Sequence, residues 1–423
     1  MRTAVLALVL LVGCDGGPRC GDELACESVR VPVDHPDGFR DEVWVYTVVP
    51  SEGADLPIVV YAPGQGQGGI ANCEPDARSF GTPNARALAS RGFAVAAVRY
   101  RNVGDGAPGI GVLRMRDHHA RDARALLGAA RALRDRLGAR GSDRVAFVGS
   151  SMGTWPALWA VSAHPDVADL QDGLDLRTTI VHGETGNHLS NGADRCGEET
   201  SEQPDVRVRF AAGAAQAALR TEATALGLPE VTAADLEAGR PLGDAIRHSL
   251  TERGVELLRA VFFEAADPSL EGCGGAEGLP AECAGLDCLT SLYVSRFGNA
   301  PVSELLRSDV IEARCAFSAE TPDPGPETGN RFVTGLREQS PAYAMPGPPR
   351  VSRALSLLSE GDPHHDPAAQ ALLLERLESL GISVPRPPPN PGPSCGHGDY
   401  EDSSRPECGL DLIAAELDAA FAP

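Results

Sequence analysis

The segment Val145-Ala-Phe-Val-Gly-Ser-Ser-Met-Gly-Thr-Trp-Pro-Ala-Leu-Trp-Ala-Val161 constrains the chain more than any other. Val145 to Val148 form a short apolar run of the kind found in buried strands. The run passes directly into Gly149-Ser-Ser-Met-Gly153, and Trp155 to Val161 then reads as a helix that tolerates Pro156 in its first turn. A strand can turn into a helix this abruptly only through strained backbone, with neighbours packed too closely for a Cβ at either glycine. The pentapeptide alone is common, and a solvated loop serine is its ordinary meaning. The strand before it and the helix after it make Ser151 a candidate nucleophile.

Three other continuous apolar runs, Ile58-Val-Val-Tyr61, Phe93-Ala-Val-Ala-Ala-Val98 and Thr178-Thr-Ile-Val181, predict strands buried on both faces of a parallel sheet. Between them Asp117 to Leu137 places Ala120, Ala123, Leu126, Leu127, Ala130 and Leu133 at helical spacing. Upstream, Glu27 to Val33 and Glu42 to Val49 alternate apolar and polar residues on either side of Asp37-Gly38, which predicts an antiparallel hairpin. Alternating strands and helices around a strand–elbow–helix specify an α/β class and an α/β-hydrolase fold, with a mostly parallel central sheet and an N-terminal antiparallel hairpin.

From about Ser190 to Pro349 the strand pattern stops and the chain becomes rich in Ala, Glu and Leu. This predicts a helical, cysteine-containing lid insertion over 190–349 that divides the hydrolase core into 14–189 and 350–423. The sheet pattern resumes at Val351 to Leu358, followed by a helix from Pro367 to Leu380, a short run at Ile382-Ser-Val384, a proline-rich loop and a closing amphipathic helix from Leu410 to Phe421. A chain of 423 residues with 42% hydrophobic content fits one large domain with an insertion as well as two domains.

A serine nucleophile in this fold needs an oxyanion hole, an acid and a base. One oxyanion donor is the N–H of the residue after the nucleophile, here Met152. The other is expected after the third strand, where Tyr61-Ala-Pro-Gly-Gln-Gly-Gln-Gly-Gly69 offers Gln65 first and Gly66 next. The acid is expected after a late strand and the histidine near the C-terminus. Asp362, in Ser359-Glu-Gly-Asp-Pro-His-His-Asp-Pro367, follows the strand ending at Leu358. Glu360, Asp366 and a metal site built from Asp362, His364, His365 and Asp366 are the alternatives there; no metal or other cofactor is expected. His397, in Cys395-Gly-His-Gly398, is the last of ten histidines and the only one beyond the final strand, which makes it the expected general base.

All 37 basic residues are Arg, so Schiff-base chemistry, Ser-Lys dyads and a P-loop are excluded. A formal charge of -22 without any basic run excludes nucleic acid as a partner. At the N-terminus, Arg2 and the apolar run Ala4 to Val12 read as an export signal too short to span a bilayer. The small residue before Cys14 resembles the lipobox of bacterial lipoproteins, which implies cleavage after residue 13, acylation of Cys14 and a membrane-anchored, extracytoplasmic protein. An ordinary secretory signal is the alternative. The remaining ten cysteines form an even set and read as disulfides; zinc at Cys273, Cys283 and Cys288 is the lesser reading, because no paired CxxC accompanies them.

These residues resemble the α/β-hydrolase family of serine peptidases that contains proline iminopeptidases and secreted tripeptidyl aminopeptidases. Cys26-Glu-Ser-Val-Arg-Val-Pro-Val-Asp34 is similar to that branch's N-terminal cysteine and V-P-L-D-Y strand, Tyr61 to Gly69 to its glycine-rich loop, Asp362-Pro363 to its acid turn, and Gly396-His397-Gly398 with Cys408 to its terminal motif. The resemblance implies an aminopeptidase acting on a small peptide, with Ser151, Asp362 and His397 as the triad and Cys408 structural. An exopeptidase of this kind needs a lid carboxylate for the substrate's free amine, and Glu198, Glu199 and Glu202 are available. A carboxylesterase or lipase acting on a small ester would share every catalytic residue, with Val255 to Phe263 and Leu289 to Tyr293 as a possible apolar lid face. A binding lipoprotein on an inactive scaffold is the remaining alternative, disfavoured because Ser151, Asp362, His397 and the glycine loop are all intact.

Overall fold

A computed structural model describes residues 23–36, 38, 40–63, 82–99, 112–114, 118–183, 196–228, 230–262, 294–317, 325, 329–362, 366–397, 399–402 and 404–422. The export segment with Cys14, the glycine-rich loop with Gln65 and Gly66, His364 and His365, residues 289–293 and Cys20, Cys73, Cys273, Cys283 and Cys288 lie outside the described residues.

A seven-stranded sheet carries the fold, in the order β1-β2-β4-β3-β6-β7-β9. Its strands are β1 (Leu24–Asp34), β2 (Arg40–Pro50), β3 (Leu56–Ala62), β4 (Ala94–Arg99), β6 (Gly141–Ser150), β7 (Asp175–His182) and β9 (Arg353–Leu357). The hairpin β1–β2 pairs antiparallel, with Val31 opposite Val43, and β2 joins β4 antiparallel. From β4 to β9 every pairing is parallel.

The continuous apolar runs follow from cover on both faces. Ile58, Val60 and Ala62 of β3 and Val145 and Phe147 of β6 pack into one core with the helices α2 (His118–Leu137) and α3 (Thr154–Val161). Their neighbours Val59, Tyr61, Ala146 and Val148 point into a second core with the helices α1 (Thr82–Ser90) and Leu410–Phe421. Side chains alternate across a strand, so a strand with two dry faces must be apolar throughout. Every residue of α3 is buried, which matches its lack of a polar face.

Arg124 shows how the helices are fixed to the sheet. Its buried guanidinium forms two hydrogen bonds to Asp169, at 2.6 and 3.0 Å, and donates to the Asp34 carbonyl at 2.8 Å, so that α2, the helix Pro165–Gln171 and the end of β1 share one cation. On the far edge, buried Glu416 accepts from Arg353 at 2.9 and 2.8 Å and from Thr178 at 3.1 Å, which docks the closing helix against β7 and β9.

Between β7 and β9 the described chain is mainly helical, led by α4 (Pro204–Ala225), and has its own apolar core around Phe210, Leu219, Leu257, Leu258, Phe297 and Phe332. The apolar stretch expected as a lid face is turned into this core: Val255, Leu257, Leu258 and Ala260 are buried. Strand signals were not expected here, but Glu230–Thr232 (β8) pairs antiparallel with Val112–Arg114 (β5), which belongs to the connection between β4 and α2. Three residues are too few for alternation to register, and only pairing reveals them. Ile382 to Val384 contributes one parallel bridge, Arg353 to Ser383, and no full strand. A disulfide joins Cys196 to Cys315, a second joins Cys395 to Cys408, and Cys26 is also disulfide-bonded.

Candidate active site

Ser151 sits at the carboxyl end of β6, the centre of the parallel strands, where the chain turns into α3. Its φ is 46°, in the left-handed region that non-glycine residues rarely adopt. Such a conformation costs about 1–3 kcal/mol and persists only where packing over-determines it. Here the packing is explicit. A Cβ on Gly153 would lie 2.0 Å from the Ala62 carbonyl oxygen of β3, and one on Gly149 would lie 2.5 Å from the carbonyl oxygen of Gly153. The turn is therefore packed tightly against the end of β3 and against itself, and Ser151 stands at its head.

His397 reaches this point from the loop before the closing helix. Its Nε2 is 3.0 Å from Ser151 Oγ, and its Nδ1 is 3.0 Å from both carboxylate oxygens of Asp362. Asp362 follows β9 in a turn closed by its own N–H to the Ser359 carbonyl at 3.1 Å, and its side chain is fully buried while that of His397 is 29% exposed. A carboxylate facing Nδ1 requires the proton on that nitrogen, which leaves the Nε2 lone pair for the serine hydroxyl. Ser151, His397 and Asp362 thus come together from three separate segments, with the His397 ring between the serine hydroxyl and the buried carboxylate. Of the alternatives for the acid, Glu360 is exposed and accepts from Asn390 at 3.2 Å, and Asp366 caps the helix Pro367–Ser379 by accepting the Ala369 N–H at 3.0 Å.

Met152 lies in the single helical turn Ser151–Gly153 that leads into α3. N–H groups in a first turn have no intrahelical acceptor, which suits them to a developing oxyanion. Glu198 and Glu199 lie on a short turn before α4.

Three neighbours of the site carry no sequence motif. Gly183 follows β7 with φ 71°, and a Cβ there would come within 2.9 Å of His397 Cε1, so the imidazole rests directly on glycine backbone. Before it, His182 is 1% exposed, with ring centroids of Tyr61 and Tyr400 at 6.4 and 5.2 Å. Burial, with the nearby His397, pushes the His182 pKa down to about 3 despite the opposing pull of Asp362, so this ring stays neutral. Tyr400, three residues past His397, is equally buried and accepts the Ser359 N–H at 2.5 Å. The only signals for these residues are positional: His182 ends an apolar run at the carboxyl edge of the sheet, and Tyr400 is an aromatic in an otherwise polar loop. The disulfide Cys395–Cys408 encloses both His397 and Tyr400.

No protein-family model matches the sequence, and no curated protein matches it either. Solved structures do match. The rice cell wall degrading esterase LipA from Xanthomonas oryzae superposes with a TM-score of 0.60 at 13% identity, over 94% of this chain and 91% of that one. Candida antarctica lipase A in its closed state gives a TM-score of 0.52 at 11% identity, over 92% of this chain and 78% of that one. At such identities the likeness is one of fold. Together with the strand order, it gives this chain the α/β-hydrolase fold, with Ser151, His397 and Asp362 in hydrogen-bond contact at the carboxyl edge of its sheet.

Proposed function

We propose that the protein is a serine hydrolase that forms an acyl-enzyme on Ser151, and that its substrates are carboxylic esters. The observation that carries the reaction class is the unbroken contact from Ser151 Oγ through the His397 ring to buried Asp362, on a serine held at φ 46°. His397 Nε2 takes the Oγ proton as Oγ attacks the acyl carbonyl, and the same nitrogen returns it to the leaving alkoxide. Asp362 stabilises the imidazolium formed in between. The Met152 N–H receives the oxyanion, with Gln65 or Gly66 of the loop after β3 as the second donor. Water then repeats the sequence on the acyl-enzyme.

The choice of ester over peptide rests on the structures this fold resembles, an esterase and a lipase, each matched over more than nine-tenths of this chain. The sequence resemblance to proline iminopeptidases and tripeptidyl aminopeptidases supports the second reading, an exopeptidase with the same triad. The disulfides belong to an oxidising, extracytoplasmic compartment. Anchoring through acylated Cys14 is part of the same proposal, and a Cys14→Ser chain is expected in the soluble rather than the membrane fraction.

Purified protein and its Ser151→Ala variant are to be assayed on short-chain acyl esters and on aminoacyl and tripeptidyl amides. Ester turnover that disappears in Ser151→Ala is the expected result. Amide turnover without ester turnover would transfer the assignment to the peptidase reading, and full activity in Ser151→Ala would remove the mechanism altogether. Failure of the wild type to react with a fluorophosphonate would identify an inactive scaffold.

A further inference from the structure

We propose that Tyr400 is a positioning residue of this site, whose hydroxyl ties the acid-bearing turn to the base-bearing loop by accepting the Ser359 N–H and donating to the Asp362 carboxylate. The proposal rests on the hydrolase reading above and adds a member that neither the motif nor the triad contains.

Tyr400 lies in the single turn Asp399–Glu401, three residues after His397, and is 1% exposed. Its hydroxyl oxygen is 2.5 Å from the Ser359 nitrogen, and it is hydrogen-bonded to Asp362. A phenol has one proton and two lone pairs. The Ser359 N–H can use only a lone pair, so the phenolic proton is directed to the carboxylate. Burial, reinforced by the charge of Asp362, pushes the Tyr400 pKa up, which keeps this donor protonated across the working range.

The arrangement answers a need of the acid. A buried carboxylate has about four acceptor positions; His397, 3.0 Å from both oxygens, supplies one N–H, and the Tyr400 hydroxyl supplies a further donor. The turn itself is held at Ser359: the Ser359 Oγ accepts the Gly361 N–H at 3.1 Å and donates to the Gly392 carbonyl. Tyr400 thus grips both the turn and the carboxylate that the turn presents. Of the other described titratable groups around Asp362, neutral His182 faces it from β7, Glu360 is turned outward to Asn390, and Asp399 is paired with Arg405 at 2.5 Å.

The test compares the wild type, Tyr400→Phe and Tyr400→3-fluorotyrosine, with rates expressed per site titrated by a fluorophosphonate and Ser151→Ala as the blank. Tyr400→Phe keeps the ring but removes the donor. It is expected to lower kcat by about tenfold, the effect of losing one hydrogen bond to a charged group, with KM nearly unchanged. A carboxylate released from Tyr400 pulls harder on the imidazolium, so the acid limb of the kcat/KM profile moves to higher pH. The fluorinated phenol is a stronger donor and shifts the limb to lower pH, in a protein whose packing is intact even if Tyr400→Phe folds poorly. A merely structural role predicts fewer titratable sites with unchanged per-site kcat and an unmoved limb, and that result overturns the proposal. A wild type that neither reacts with the probe nor hydrolyses esters overturns the hydrolase reading, and this proposal with it.

Discussion

The buried histidine beneath the site makes a sharp prediction about acid stability. His182 lies 1% exposed between Tyr61 and Tyr400, and neither ring nitrogen has a hydrogen-bond partner among the described residues. Its pKa falls from 6.5 to about 3 on folding, chiefly through burial. The unfolded chain therefore binds a proton below about pH 6.5 that the folded chain refuses until far lower pH, and stability must decline as pH falls through that window. Between pH 7 and pH 5 the linkage amounts to about 2 kcal/mol for an unfolded pKa near 6.5, and any folded pKa below about 4 gives the same figure. His182→Phe keeps a ring of similar size between the two tyrosines and removes the titration. Since no hydrogen bond to a described residue is given up, the variant is expected to match or exceed the wild type at neutral pH. The assay is urea unfolding followed by tryptophan fluorescence at both pH values with disulfides intact. Every other acid-sensitive group is common to the two proteins, so their difference in pH dependence isolates position 182. Wild type and His182→Phe losing stability in parallel, within about 0.5 kcal/mol, would show that the folded protein accepts the proton and would refute the burial argument.

Gly183→Ala forces a Cβ to within 2.9 Å of His397 Cε1 at φ 71°; displacement of the ring is expected to lower kcat/KM on esters by about tenfold or more, with a melting shift that reports about 1 kcal/mol of backbone strain. Replacing Cys395 and Cys408 by serine opens a loop closed over 13 residues and should cost about 3 kcal/mol in denaturant unfolding, together with most of the activity, because His397 and Tyr400 both lie inside it. Arg124→Met removes a buried cation from Asp169 and the Asp34 carbonyl and should cost about 2 kcal/mol with per-site kcat unchanged. The Asp169 carboxyl is held below its usual range mainly by its hydrogen bond to Arg124, so this contribution is present above about pH 4 and is lost as pH falls below it, which acid titration of the two proteins compares directly.

The elements that could be read in the sequence are those whose cause is local. Val145 to Val161 carries its strand, turn and helix in adjacent residues, and β6 and α3 lie where that order requires. The helix Leu410–Phe421 was legible to the residue because its apolar stripe faces a single core. β8 was not legible, since three residues acquire strand character only from β5, more than a hundred positions earlier in the chain. The same distinction holds at the site. Ser151, Asp362 and His397 each stand at a recognisable place relative to a strand. His182 and Tyr400 matter only through what the fold sets against them, and a lone histidine or tyrosine announces nothing of the kind.

The site joins a rigid part to a tethered one. Ser151 is fixed by close-packed backbone: the carbonyl of Ala62 on one side and the Gly149–Gly153 contact on the other leave its position no freedom independent of the sheet. His397 has no such seat, for it lies in a loop between a proline-rich stretch and the closing helix. Its place relative to Ser151 depends on Gly183 beneath the ring, on Asp362 at Nδ1 and on the disulfide that closes the loop. A misplacement of about 1 Å at a reacting group can cost a hundredfold in rate, whereas the energy available in any one of these contacts is a few kcal/mol at most. Precision therefore has to come from several weak constraints acting on the same loop. The disulfide narrows the ensemble of the chain before any side chain docks, and the contacts to Gly183 and Asp362 select one member of it. Loosening the disulfide alone should consequently raise the temperature sensitivity of turnover before it unfolds the sheet, and Cys395→Ser/Cys408→Ser, compared with the wild type, should show activity failing at temperatures where tryptophan fluorescence is still native. Simultaneous loss of both signals would mean that the loop and the sheet unfold as one unit.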